Sequence, residues 1–304
     1  GSTAWSSAQP LSVVVDPVSD APTLSATSLT VNEDTSATFG NLITWTKPDT
    51  DGSERISRVE LSGLPTGTGS SVTWAVAGGA GVTSDGLGGY VISGPSEAGI
   101  RATLDSFAVR APSNSDAGFT ITARAQTTDG TAAASALAST TLAVTVTAVA
   151  DAPGVAVGAV SGNEDTAITF GTAVTVTKAD TDGSEWISAY EISAFPAGWA
   201  VAFDGNAAVT VTGTANGPYT LTIAGQTDVA ALEAVLDSFR VTPPAHADGD
   251  AGITIRAQST DTGGSTAWSS AQPLSVVVDP VSDTPTLSAT SLTVNEDTSA
   301  TFGN

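Results

Sequence analysis

Thr141-Leu142-Ala143-Val144-Thr145-Val146 followed by Val149-Ala150-Asp151-Ala152-Pro153 decides the fold. Leu142, Val144 and Val146 recur every second residue, the period of a strand with one face buried. The proline then ends the ladder and holds the residue before it extended, giving a short, stiff connector. The same connector stands at Val18-Ser19-Asp20-Ala21-Pro22 and at Val281-Ser282-Asp283-Thr284-Pro285, each after a Val-rich strand. Complete domains are therefore expected at 22–150 and 153–282. Residues 1–20 read as the last strand of a preceding repeat, and 286–304 as the first strands of a following one.

Outward from that stretch the pattern stays β. Phe119 to Ala123 and Val209 to Thr212 alternate with period two between Gly, Asp, Asn and Ser, as in a half-buried antiparallel sandwich. One segment in each domain breaks the alternation. Residues 228–239 put Leu232, Val235, Leu236 and Phe239 on one helical face, with Thr227 or Asp228 able to cap the start, and 96–107 is its counterpart. The fold class read from the sequence is all-β: tandem antiparallel sandwiches, each crossed by one short core-facing helix.

Internal repetition explains why the pattern recurs. Residues 1–41 return as 264–304 with one change, Ala21 to Thr284. Within that period a weaker repeat relates the two domains. Asn32-Glu33-Asp34-Thr35 returns as Asn163 to Thr166, Leu104 to Phe107 as Leu236 to Phe239, and Arg124 to Gln126 as Arg256 to Gln258. Two related domain types thus alternate.

Composition removes several function classes. Asp and Glu number 31 against 9 Lys and Arg, a formal charge of −22, which disfavours nucleic acid and anionic membrane surfaces as partners. No apolar run approaches the ~18 residues of a spanning helix. Cysteine is absent, so neither a disulfide nor a thiolate site staples the fold, and a stapling metal must bind through oxygen.

The chemistry sits in carboxylates. Asp180-Thr-Asp182-Gly-Ser-Glu185 sets two Asp two residues apart, a Gly that permits a sharp turn, and a Glu able to close a site. Such hard oxygen donors suit calcium, which takes six to eight ligands. Alone, the string is equally a polar turn. It occurs in both domains, however, as Asp49, Asp51 and Glu54 in the first, and it accompanies Asn-Glu-Asp turns and an Asp in every linker. In an immunoglobulin-type strand order the Asn-Glu-Asp turn lies at the base of one domain and the Asp-x-Asp turn at the top of the next.

This arrangement resembles cadherins and, more closely, the cadherin-like or bacterial immunoglobulin-like extender repeats of giant type I-secreted, RTX-type adhesins, which share the Asn-Glu-Asp-Thr, Asp-x-Asp-Gly-Ser-Glu and Asp-Ala-Pro strings. The resemblance implies calcium at each junction. The complete central one would draw on Glu33, Asp34 and Asp116 of the first domain, linker Asp151, and Asp180, Asp182, Glu185 and Asp261 of the second. The junction after a second-type domain would draw on Glu164, Asp165, Asp248, Asp250 and Asp283 below and Asp20, Asp49, Asp51 and Glu54 above. It carries extra acids, because Asp16 and Asp279 stand where the central linker has Thr147, and tighter calcium binding is expected there. The resemblance also implies secretion to a bacterial cell surface. The expected partners are the adjacent repeats of the same polypeptide, the chain is expected to be a monomer in solution, and its role that of a spacer projecting distal binding modules.

Two other function classes compete with the spacer. An enzyme is not expected: the single histidine, His246, lies in a loop where the first domain has Asn114, and the acids cluster at turns instead of lining a cleft. A glycan- or ligand-binding module would need exposed aromatics. Trp45 alternates as a core residue, whereas Trp186 replaces Arg55 and Trp199 aligns with Thr68, so these two are candidates for a surface platform.

Overall fold

The computed structural model describes residues 1–180, 182–214 and 217–301. The first sandwich runs β1 (Thr23–Ala26), β2 (Leu29–Asn32), β3 (Ser36–Thr38), β4 (Ile43–Thr46), β5 (Glu54–Ser62), β6 (Ser71–Thr73), β7 (Gly81–Ser84), β8 (Tyr90–Ser93), α1 (Glu97–Asp105), β9 (Ala108–Arg110), β10 (Phe119–Asp129) and β11 (Ala138–Thr147). The second opens with β12 (Gly154–Val157), β13 (Val160–Asn163), β14 (Ile168–Thr169), β15 (Val174–Thr177), β16 (Glu185–Ser193), β17 (Ala200–Ala202), β18 (Val209–Thr212) and β19 (Tyr219–Ile223). It closes with α2 (Val229–Asp237), β20 (Arg240–Thr242), β21 (Ala251–Asp261), β22 (Thr266–Trp268) and β23 (Gln272–Asp279).

Each sandwich has one large sheet and two small ones. The large sheets are ordered β2-β11-β10-β5-β8-β7 and β13-β23-β21-β16-β19-β18, the latter with β22 beside β21. Opposite them lie the ribbons β1-β4 and β12-β15 and the sheets β3-β9-β6 and β14-β20-β17. The pairing is antiparallel as expected, save for one pair in each sandwich. β2 runs parallel to β11, with Val144 opposite Leu29 through Thr147 opposite Asn32, and β13 runs parallel to β23. The reason lies in the routing. The first strand starts from the linker above and breaks after Ala26, its first half staying on the ribbon and its second half crossing to the large sheet. The last strand must deliver the chain to the linker below, so both run from top to base.

Alternation accounts for the cores. Ile121, Ala123 and Ala125 of β10 face inward with Leu142, Val144 and Val146 of β11, all buried. A second, separate core gathers residues between Val160 and Val278. Each helix lies across it. Leu232, Val235, Leu236 and Phe239 are all buried as the spacing predicts, each contributing about 1.5–3 kcal/mol by leaving water. Ser96 caps α1 by accepting the Gly99 N–H. Neither Thr227 nor Asp228 caps α2 by its side chain, because a 3-10 turn over Gln226–Asp228 leads into it instead.

Residues 1–20 form no strand, and neither do 286–301; residues 302–304, part of the expected following repeat, lie outside the described residues. The contrast is instructive, because 264–279 has the sequence of 1–16 and forms β22 and β23. The difference is a partner: β23 is held between β21 and β13, and among the described residues no strand pairs with 1–16.

Candidate metal centre

The top of the second sandwich is a chain of turns. Asp180 Oδ1 accepts the Asp182 N–H at 2.9 Å, Asp182 Oδ1 accepts the Ser184 N–H at 2.9 Å, and Ser184 Oγ donates to Asp180 Oδ2 at 2.7 Å. Carboxylates two residues before an amide favour such turns. Gly183 completes the bend at φ 102°, a conformation L side chains rarely adopt. Glu185 then begins β16 opposite Asp261 of β21, and its Oε1 accepts the N–H of linker Asp151 at 2.8 Å. Asp261 is engaged within its own hairpin, accepting from the Gly263 N–H and Ser265 Oγ. Ser265 Oγ in turn accepts the Ala150 N–H at 2.6 Å, so the linker is tied to the second sandwich at consecutive residues.

The base of the first sandwich meets this surface. Glu33 follows β2; its N–H donates to the Thr147 carbonyl and its Oε1 accepts the Val149 N–H. Asp34 takes φ 57°, tolerable for Asp, and pairs with Arg110 at 3.0 Å. Two contacts cross the hinge: the Asp116 N–H donates to Asp182 Oδ2 at 3.2 Å, and Asn114 Nδ2 donates to the Ala179 carbonyl at 2.7 Å.

Glu33, Asp34, Asp116, Asp151, Asp180, Asp182 and Glu185 thus share one electrostatic neighbourhood. Glu33 carries the largest perturbation. It is 2% exposed, its Oε2 is buried without a hydrogen bond, and its pKa rises from 4.5 to about 7. Burial is the leading cause, and the charges of Asp180, Asp34 and Asp151 add to it. Burial also raises Asp151, assisted by Asp34, Glu185 and Asp180, and raises Asp116, assisted by Asp182 and Asp180. Asp182 is lowered: its burial is outweighed by hydrogen bonds from Ser184 and Asp116. The carboxylates of this all-oxygen set outnumber Arg110, the cation paired with Asp34, and their charges help to raise Glu33, Asp116 and Asp151. A hard divalent cation supplies further positive charge.

The same parts recur at both outer ends. Above the first sandwich, Glu54 Oε1 accepts the Asp20 N–H at 2.6 Å, Asp49 accepts the Asp51 N–H at 3.0 Å, and Asp51 accepts the Ser53 N–H at 2.8 Å. Glu54 Oε2 is buried and unpartnered, as is Glu33 Oε2. Below the second sandwich, Glu164 Oε1 accepts the Val281 N–H at 2.6 Å, repeating the Glu33 contact, and Asp250 accepts the Val278 N–H at 3.0 Å. Asp248 is exposed. His246 is exposed as expected but not idle. Its Nδ1 lies 2.6 Å from Asp283 Oδ2 and its backbone N–H donates to Asp165 Oδ1, and the Asp283 hydrogen bond and charge raise its pKa. Asp165, His246 and Asp283 are, among the described residues, the one group of three potential ligand side chains with atoms within 4.8 Å of one another. The central acids are gathered but not closed around one point.

Several participants escaped the sequence reading. Asp129 is the twin of Asp261; it is buried opposite Glu54, its Oδ1 has no partner, and with Asp16, Asp49 and Asp51 it lines a cavity of about 430 Å³. The offset of 132 from Asp261 was the available signal. Ser184 stands inside the Asp-x-Asp-Gly-Ser-Glu string without being singled out by it, and Arg110 and Asn114 belong to no acidic string. The aromatic platform is corrected. Trp199 is buried in the second core with Phe195 and Val209, and Trp186 is only half-exposed with a buried Nε1, so the two form no shared surface. Trp45 is half-buried against the first core, its Nε1 donating to Glu97.

No family model and no curated protein matches the chain. Among solved structures it is similar to mouse cadherin-23 EC22-24, at 15% identity over 86% of this chain and 67% of that one, TM-score 0.37. It is similar to the titin domains z1z2 in complex with telethonin, at 11% identity over 88% of this chain and 100% of that one, TM-score 0.26. It is also similar to the D00-D0 domain of intimin, at 12% identity over 83% of this chain and 98% of that one, TM-score 0.25. By its strand pairing the chain is a tandem of two all-β sandwiches, mostly antiparallel and each crossed by one short helix.

Proposed function

We propose that this chain is a calcium-stiffened spacer from the repeat region of a large secreted bacterial surface adhesin, its partners being the neighbouring repeats. The observation that carries the reading is the hinge, where acids from two sandwiches and their linker meet with Glu33 Oε2 buried and unpartnered. Glu33, Asp34, Asp116, Asp151, Asp180, Asp182 and Glu185 would hold the ion, and Asp261 would brace the hairpin beneath them. Bound calcium supplies positive charge and bridging oxygen coordination. Without it the acids repel, and the two bodies are joined by few contacts. Extracellular modules bind calcium at roughly 10⁻⁴–10⁻³ M, so such hinges are loose in the cytosol and stiff outside. Calcium also adds to stability by binding only the folded state.

Small-angle scattering of the chain with millimolar calcium and with chelator tests this. Calcium should narrow the distribution of interdomain angles and lengthen the particle, with a rise in melting temperature. Identical scattering and melting in the two conditions would sink the reading.

A further inference from the structure

The two sandwiches differ along one helix, and there the second has an open cavity. In the first, Arg101 of α1 lies over β4. Its guanidinium sits 3.3 Å from the Trp45 ring centroid, donates to the Ile43 carbonyl at 2.5 Å, and pairs with Asp105 at 3.5 Å. The repeat offsets place Glu233 at the position of Arg101, Asp237 at Asp105, Val174 at Ile43, Val176 at Trp45 and Tyr190 at Val59. The second sandwich has therefore lost the guanidinium and the indole it stacked on. It keeps the carboxylate and the strand position that received that guanidinium, and adds a second carboxylate and a phenol.

These residues line a cavity of about 290 Å³ between α2 and β15. Tyr190 is 1% exposed, and its hydroxyl makes no hydrogen bond among the described residues. Neither Glu233 nor Asp237 makes an ion pair among them. Burial raises Asp237 unopposed, whereas in the twin the same push on Asp105 is countered by Arg101. The cavity is thus a guanidinium seat without its guanidinium. A second cavity, lined by Trp186, Lys178, Gln226 and Val229, shares Val176 and Glu233 with it and gives room for neighbouring groups of an occupant.

We propose that the cavity between α2 and β15 receives an arginine side chain of a partner protein, held by Glu233, Asp237 and the Tyr190 hydroxyl. Arginine suits it better than lysine. A planar fork can meet two carboxylates and a hydroxyl at once, and it is more weakly hydrated than an ammonium. The chain's charge of −22 favours approach of a cationic surface.

The test is an NMR titration of the isotope-labelled chain with acetyl-Gly-Arg-Gly-amide and with acetyl-Gly-Lys-Gly-amide, reading the amides of Val174, Val176, Glu233 and Asp237. The arginine peptide should shift them saturably and bind about tenfold more tightly than the lysine peptide. Glu233→Arg restores the residue of the folded twin, fills the cavity from within, and should abolish the saturable shift while leaving the remaining spectrum in place. No saturable shift in the wild type, equal affinities for the two peptides, or undiminished binding in Glu233→Arg each overturns the proposal.

Discussion

Glu33→Gln should have opposite effects with and without calcium. The buried carboxylate has a pKa of about 7 against 4.5 for the free group. Carrying its charge in the ion-free fold therefore costs about 3 kcal/mol. Because the folded pKa lies above the unfolded one, this cost is absent below about pH 4.5, accumulates as the pH rises to about 7, and is complete above that. Gln keeps an acceptor for the Val149 N–H and removes the charge. Its extra N–H donors enter a buried space and return about 1 kcal/mol of the gain, leaving roughly 2 kcal/mol. For a domain of this size that is a rise of about 5 °C or more in melting temperature. Calorimetry near pH 8 in chelator should read that rise. In millimolar calcium the same variant should melt below the wild type, having lost an anionic ligand. Near pH 5 in chelator the difference should shrink to a small residue. If Glu33→Gln lowers the melting temperature in chelator as much as in calcium, the carboxylate is not an uncompensated charge and the hinge reasoning fails.

Further expectations concern the other residues. Asp182→Ala removes the acceptor for the Asp116 N–H and one oxygen donor, so most of the calcium-induced rise in melting should vanish while stability in chelator changes by about 1 kcal/mol or less, read by calorimetry. In a longer piece of the repeat continuing past Asp283, calorimetric titration should find that junction tighter for calcium than the central one, since Arg110, which pairs with Asp34, is replaced by Thr242 in the second sandwich. Equal or weaker binding there would remove the case for two grades of hinge. Trp199→Ala should cost about 3–5 kcal/mol in urea unfolding, as for other buried tryptophans, and a value near zero would restore it to the surface.

What was legible in the sequence was whatever repeats or alternates. Leu142, Val144 and Val146 announce β11, and the spacing of Leu232 to Phe239 announces α2 down to its buried face. Glu33 and Asp180 could be placed at one hinge from strand order alone. Position along the repeat does not by itself fix position in space. Trp199 aligns with Thr68, yet the turn that begins at Phe195 folds back, with the Trp199 N–H donating to the Pro196 carbonyl, and carries the indole into the core. The parallel pair of the first sandwich was hidden because the break between β1 and β2 is only two residues long and carries no proline or glycine; in the second sandwich Gly158 stands in the corresponding break. Asp129 was missed because it belongs to no string, and only the pairing of β5 with β10 sets it opposite Glu54.

The parallel alignment of β2 with β11 has a mechanical consequence. A chain anchored at one end and pulled at the other draws the start of β2 upward and the end of β11 downward. Parallel neighbours loaded in this sense slide lengthwise, so their hydrogen bonds bear the tension together instead of unzipping one at a time. Four residue pairs, from Leu29 with Val144 to Asn32 with Thr147, form that shear patch, and β13 with β23 repeats it. Glu33 leaves β2 at the foot of the patch and grips the Val149 N–H just beyond β11. The residue that perturbs the hinge thus also latches the strands through which force would travel.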